Sequence, residues 1–403
     1  MQKILALESL RGLAALIVVF GHFAAAFYPA MRIGVTAAGG IHSRFDELIL
    51  QSPLGILING DFAVYCFFVL SGFVLSFSFF VYSTDLITAS IKRYFRLAPM
   101  VLASVLFSYF ILKFALYYNT ELSSATGSVW VLKYWQMAID LSGALWQGLV
   151  SSFLVQPTAA NSLNIVLWTI YYELIGSLIV FAFLSLARTD KRRWILYILF
   201  ILVTINTYFS PFIIGALLCD VYVHHNEVFR RFGMIAKGYK ILILVAAIYL
   251  ASYPAYIKYS QDVGIVHKAL ELTSIYTLNQ AILYIIASVM FIMLLLTSHK
   301  IKSILEKKPF VFLGSISYSI YATHMPLLGS FAAFVFIKFQ GHLAYNYAAL
   351  VTFLLFIPVS IGVAYLFRRY VDIPSIKFSK AVAKRIGGPK RGRPASEHIE
   401  NIL

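Results

Sequence analysis

The sequence predicts an all-α, polytopic integral membrane bundle of about ten transmembrane helices, with both termini on the cytoplasmic side. Three observations predict it. Hydrophobic residues make up 60% of the 403-residue chain and charged residues only 12%, whereas soluble domains carry about one-quarter charged residues. Apolar runs recur at 6–28, 62–82, 97–117, 164–186, 193–209, 211–223, 241–257, 281–297, 317–338 and 347–367, most of them near the roughly 20 residues that cross a hydrocarbon core of about 30 Å. Lys and Arg alternate between the intervening loops: with the N-terminus inside, the inside segments hold 26 of them and the outside loops 6. Cytoplasmic loops retain positive charge, so this alternation supports the count and orientation together. It also accounts for the net charge of +16 without nucleic acid as a partner; the partner it requires is the lipid bilayer.

The first run, LESLRGLAALIVVFGHF, carries Arg11 and His22 within apolar sequence. Its length, its charged residues and the lack of a small-residue cleavage site argue against a cleaved signal peptide. Charged and titratable groups inside a span are costly, and by default they face a polar interior. Arg11 and His22 are eleven residues apart, within about 20° of three full turns, so they share one helix face about 16 Å apart. Glu8, one turn before Arg11, lies close to the same stripe. A snorkelling anchor for Arg11 and an interhelical hydrogen bond for His22 are the structural alternatives; convergence of further polar groups favours a functional face.

In the third run, IKRYFRLAPM places Arg93 and Arg96 one turn apart at the cytoplasmic entry, with Lys92 beside them. Arginine forks match phosphate oxygens, although topology alone also places basic residues here. Pro99 fits a first helical turn. The outside connection 118–163 contains VWVLKYWQMAIDLSGALWQGLVSSFLV, an interfacial or re-entrant stretch over the outer face. In the fourth run, LWTIYYELIGSL carries Trp168 and Glu173, with the carboxylate about 14 Å below the outer end and His22 about 9 Å below it. A carboxylate beside an imidazole orients it and raises its basicity, as a general base acting on a hydroxyl requires; His22 and Glu173 are therefore the expected catalytic pair. The run at 211–223 is short and begins at Pro211, as a tilted or broken span would. In the ninth run, FLGSISYSIYATHMPLL brings Ser315, Ser317, Tyr318, Ser319, Tyr321 and His324 into the cytoplasmic half as a candidate cavity lining, with Pro326 permitting a kink. Cys66 and Cys219 both lie inside apolar runs, so neither a disulfide framework nor a metal site is expected. One domain spans 1–376, and a basic tail over 377–403 is expected to be flexible. No internal repeat of fixed period is visible.

These stretches together resemble acyltransferase family 3, a family of integral membrane acyltransferases, from Leu7 to about Lys377. The likeness lies in the Arg–His spacing of the first span (Arg11, His22), NGDFAVYCFFVLSGFVLSFSF in the second, the Arg-x-x-Arg of Arg93 and Arg96, and the Trp…Glu of Trp168 and Glu173. It extends to the Ser-Tyr-Ser-Ile-Tyr…His run ending at His324 and the acidic-x-Pro of Asp372 and Pro374. Tyr65 departs from the pattern, standing where many members carry an acid, and the resemblance is to the stand-alone form, expected without a C-terminal esterase-like domain. The resemblance implies transfer of an acyl group, commonly acetyl, from cytosolic acyl-CoA as co-substrate to a hydroxyl of a lipopolysaccharide, exopolysaccharide or related glycolipid. It implies a bacterial inner (plasma) membrane setting and no tightly bound cofactor. On this reading Arg93 and Arg96, with Arg11, hold the donor, and His22 acts as base or relays the acyl group; Trp168, Ser317, Tyr318, Tyr321 and His324 line the cavity. A secondary transporter using an intramembrane His/Glu/Arg relay is the rival, and it would lead one to expect repeat symmetry and paired broken helices.

Overall fold

The computed structural model describes residues 4–38, 40–82, 85–257, 265–268 and 276–386, and among these it is helical throughout, with no strand. The helices used below are α1 (Leu5–Phe27), α2 (Gly60–Tyr82), α3 (Leu86–Lys113), α4 (Trp168–Ala187), α5 (Arg193–Thr204), α6 (Ser210–His224), α7 (Lys237–Ala251), α8 (Tyr276–Thr297), α9 (Lys308–Leu327), α10 (Tyr345–Phe367) and α11 (Ile373–Ile386).

Each of the ten apolar runs holds a helix, but not all of these helices have the length of a full span. Among the described residues, seven helices are long and apolar enough to cross a membrane, and eight if Asn226–Met234 and α7, which meet at a 106° bend, count as one broken span. The helices α5 and α6 have 12 and 15 residues, or about 18 and 22 Å, short of a full hydrocarbon core. They form a hairpin closed by a two-pronged ion pair, Arg193 Nε to Asp220 Oδ2 at 2.6 Å and Nη2 to Oδ1 at 2.8 Å. The last described helix, α11, crosses residue 376 and runs on to Ile386. The remainder of the tail, 387–403, lies outside the described residues.

The bundle is organised around α1 and α9, which run parallel and in register. Gly12 meets Gly314 so closely that a Cβ on Gly12 would lie 2.4 Å from the Gly314 nitrogen. Ten residues further along each helix, His22 meets His324. Small residues at such a crossing let two backbones approach where lipid-soluble side chains gain little from burial. Gly12→Val is therefore expected to destabilise the bundle by about 1–3 kcal/mol or more, because the new side chain meets backbone that cannot yield. A thermal melt in detergent checks this against Gly341→Ala, where a Cβ meets nothing within 4 Å and no loss is expected.

The ninth run is irregular around its proline. Pro326 has no N–H, so the carbonyl four residues earlier loses its helical donor. The Ala322 carbonyl instead accepts from Ser104 Oγ on α3 at 2.6 Å and from Asn164 Nδ2 at 2.7 Å, and buried backbone polar groups in a membrane need such replacements. Beyond it the helix widens into a π turn at Leu328–Ala332. There the Gly329 carbonyl accepts from the Tyr118 N–H at 2.9 Å, and Gly329 packs on the Trp135 ring. The connection 118–163 is thereby folded onto the break in this span, as a set of short helices rather than a free loop.

Candidate active site

A cavity of about 170 Å³ lies among α1, α2, α3, α4 and α9, lined by Arg11, Arg93, Arg96, Ser71 and Glu173 on its polar side. Val64, Phe67, Phe68, Leu97 and Ile170 supply apolar walls, and Thr169, Ser317, Tyr318 and Tyr321 complete it. A single water needs about 10–15 Å³ on this measure, so the space holds on the order of a dozen water-sized groups. Periodicity explains the polar side: Arg93 and Arg96 fall one turn apart on α3, and Arg11 sits on the face of α1 that also carries His22.

The charges are tied down individually. Arg93 pairs with Glu173 through Nη2 and donates from Nε to Ser177 Oγ at 2.9 Å. Glu173 Oε1 also accepts from Ser71 Oγ at 2.6 Å. Arg96 pairs with Asp372 at 2.7 Å, bonds Ser375 Oγ at 3.1 Å, and lies 5.5 Å from the Tyr318 ring centroid. A π turn at Arg368–Asp372 delivers that carboxylate from beyond the end of α10. Three arginines and one carboxylate line the cavity; with Asp372, which pairs with Arg96 from behind the lining, the group keeps an excess of one positive charge.

One helical turn beyond Tyr321 lies the second polar centre. His22 Nδ1 and His324 Nε2 are 2.8 Å apart, with the rings nearly coplanar at 8°. The tautomers follow from the neighbours. His324 Nδ1 faces the Ile320 carbonyl at 3.0 Å, an acceptor, so that nitrogen carries the hydrogen. In a neutral imidazole the other nitrogen is then a lone pair, so His324 Nε2 accepts and His22 Nδ1 donates. The free lone pair of the dyad is left on His22 Nε2. The indole of Trp130 stacks on the other side of His22, with centroids 5.4 Å apart.

The expected His22–Glu173 contact is therefore not formed: the carboxylate goes to Arg93 and Ser71, and the imidazole goes to His324. The reason is energetic. A buried carboxylate requires a countercharge, whereas a neutral imidazole needs only a hydrogen-bond partner. The arginines Arg11, Arg93 and Arg96 converge as expected, as do Ser317, Tyr318 and Tyr321. His324 sits against His22 rather than in the cavity wall, and Trp168 packs on Tyr208 with centroids 4.9 Å apart, away from the lining. Tyr65 packs against Tyr208 and Tyr284, so an aromatic cluster occupies the place of the missing acid. Sequence reasoning missed Ser71 and Trp130, and it quoted Asp372 without a partner. The density of aromatics in VWVLKYW was the available signal for Trp130.

Among the described residues, no group of three or more His, Cys, Asp or Glu side chains is arranged to hold a metal ion. A family model described as an acyltransferase domain matches residues 4–369. No curated protein and no solved structure matches the chain.

Proposed function

The chain belongs to acyltransferase family 3, and from that premise we propose that it moves an acyl group, acetyl in the first instance, from a cytosolic acyl-CoA to a hydroxyl of a cell-envelope carbohydrate. The coarser statement, an integral membrane acyltransferase, rests on the family and the apolar helices together. The finer reading places the N-terminus in the cytoplasm of a bacterium and the protein in its inner membrane. The arginine cavity then opens from the donor's side and the histidine dyad lies in the outer half.

The single observation that carries this reading is the stacking of two unlike centres along one pair of helices. A net-positive cavity suits the phosphates and the thioester arm of the donor. One turn beyond it, a neutral imidazole with a free Nε2 lone pair suits removal of a proton from a hydroxyl. In direct transfer, the acceptor oxygen bonds to the thioester carbonyl carbon as its proton passes to His22 Nε2. The C–S bond breaks, and the proton returns to the departing thiolate. The resulting imidazolium keeps its Nδ1–H bonded to His324, which holds the ring in place throughout. In the alternative, His22 Nε2 bonds to the thioester carbonyl carbon and the C–S bond breaks, expelling the CoA thiolate. The acceptor oxygen then bonds to that carbon as the N–C bond breaks, and its proton passes to the freed Nε2, which gives ping-pong kinetics.

Arg96→Ala is expected to weaken donor binding by about 1.5–3 kcal/mol, the range for a hydrogen bond to a charged group. It is also expected to lower stability, because it leaves the buried Asp372 without its partner; Arg96→Ala/Asp372→Asn discards that charge and isolates the effect on the donor. Equilibrium binding of acetyl-CoA to the purified variant checks it, and unchanged affinity in a monodisperse protein removes the phosphate role. The reading as a whole is tested with acetyl-CoA labelled in the acyl carbon. Label found in ester linkage on envelope glycans supports it, whereas transport of an unmodified solute without ester formation supports a transporter.

A further inference from the structure

A second cleft lies next to the histidine dyad, and the proposed function leaves it unused. It is bounded by Gly21 (the residue preceding His22), Arg32, Asn59, Asp61, Ser252 and Tyr256, and it encloses about 40 Å³. Its link to the dyad is a chain of contacts. Trp130, stacked on His22, lies 5.6 Å from the Arg32 guanidinium, which in turn lies 4.0 Å from the Tyr256 ring centroid. The Tyr256 hydroxyl donates to Asp61 Oδ1 at 2.7 Å. Tyr256 is 43% exposed, so the cleft meets the surface at that ring. The Asn59 amide is committed elsewhere, donating to the Ala251 and Tyr253 carbonyls, and it serves as wall rather than as ligand.

The chemistry of this cleft is specific. Arg32 and Asp61 bring one charge of each sign, so the site is close to neutral overall. Arginine offers a planar fork of donors, and a carboxylate offers up to four acceptor positions, of which Tyr256 uses one. The enclosed volume fits about three water-sized groups. That is too small for a whole sugar ring and suited to one hydroxyl-bearing edge. A phosphate or carboxylate would meet Asp61 at close range, and an apolar chain would leave both charges unpaired.

We propose that this cleft is the acceptor subsite, in which Arg32 and Asp61 hold adjacent hydroxyls on the edge of a neutral pyranose so that a further hydroxyl of the same sugar reaches His22. The proposal rests on the acyltransferase reading and adds the place and the charge class of the acceptor. The Trp130 ring touches both groups, stacking on His22 and lying 5.6 Å from the Arg32 guanidinium, and so fixes their spacing. Tyr256 acts through Asp61 as a positioning residue, and its role is to aim the carboxylate.

The experiment uses the full-length protein in detergent or nanodiscs, with acetyl-CoA as donor and, as acceptor probe, the envelope glycan fraction of cells lacking the protein. Arg32→Ala and Asp61→Asn are each expected to raise the acceptor concentration for half-maximal transfer about tenfold or more, with acetyl-CoA affinity unchanged. Tyr256→Phe, which retains the ring under Arg32 and loses only the bond to Asp61, is expected to show a smaller rise in the same direction. An unchanged acceptor dependence in monodisperse variants overturns the proposal, as does an equal loss of donor affinity, which marks a purely structural role. If the wild-type protein itself transfers no label, the acyltransferase reading has failed; if it does and only the variants behave normally, this subsite alone has failed.

Discussion

Replacing His22 by glutamine abolishes acyl transfer and leaves the bundle intact. The amide can occupy the space beside His324 and still hydrogen-bond, but it has no useful basicity at neutral pH. Loss of a general base typically lowers the rate by about 10²–10⁴-fold, and His22→Ala is expected to do the same. His324→Gln is expected to cost less. It replaces the imidazole acceptor of the His22 Nδ1 hydrogen by an amide oxygen on a more flexible side chain, and leaves the His22 Nε2 lone pair in place. The check is transfer rate alongside membrane abundance and detergent monodispersity for all three variants. Near-normal transfer by His22→Gln would reduce the dyad to a packing contact between α1 and α9.

The second large effect is expected at Arg93. Its side chain is 16% exposed and that of its partner Glu173 is 17% exposed, so removing the arginine leaves a largely buried carboxylate whose remaining direct bond is from Ser71. Breaking a buried pair from one side costs about 3–5 kcal/mol, much of it the uncompensated charge. Arg93→Ala should therefore lower thermal stability as well as donor affinity. The double variant Arg93→Ala/Glu173→Gln separates the two effects, because it discards the orphaned charge. It is expected to recover most of the stability and none of the donor affinity. Recovery of both would make the pair purely structural. Glu173→Gln alone should also impair transfer, since it removes the one carboxylate set against three arginines in the cavity wall.

Much of this arrangement was legible in the chain. The eleven-residue spacing of Arg11 and His22 placed both on one face, and α1 carries Arg11 at the cavity with His22 further along the same helix. The Arg-x-x-Arg spacing likewise gave two cavity arginines. Partner choice was not legible, because helical period fixes a face while partners depend on how four or five helices meet. Similar depth suggested His22 with Glu173, but arginine is the stronger partner for a buried carboxylate, and a parallel helix delivered a second histidine in register. That register comes from the close contact of Gly12 and Gly314, two glycines unremarkable in a sequence with 23 of them. Trp130 was hidden for another reason: it reaches the site from a connection, docked where Pro326 and the π turn leave carbonyls to be satisfied. The shortness of α6 was legible in the run 211–223, which begins at Pro211. The short α5, by contrast, shows the limit of counting apolar windows: they register hydrophobicity but not whether the helix continues far enough to span.

The most direct test of the central claim is a balance of products in a purified system. The wild-type protein in lipid nanodiscs receives acetyl-CoA labelled in the acyl carbon together with unacylated envelope glycan, and both products are counted by mass spectrometry. The account predicts one glycan ester formed for each free CoA thiol released, with neither formed by His22→Gln. Labelled acetyl-CoA left intact beside unmodified glycan, or ester formation at an undiminished rate by His22→Gln, would contradict it.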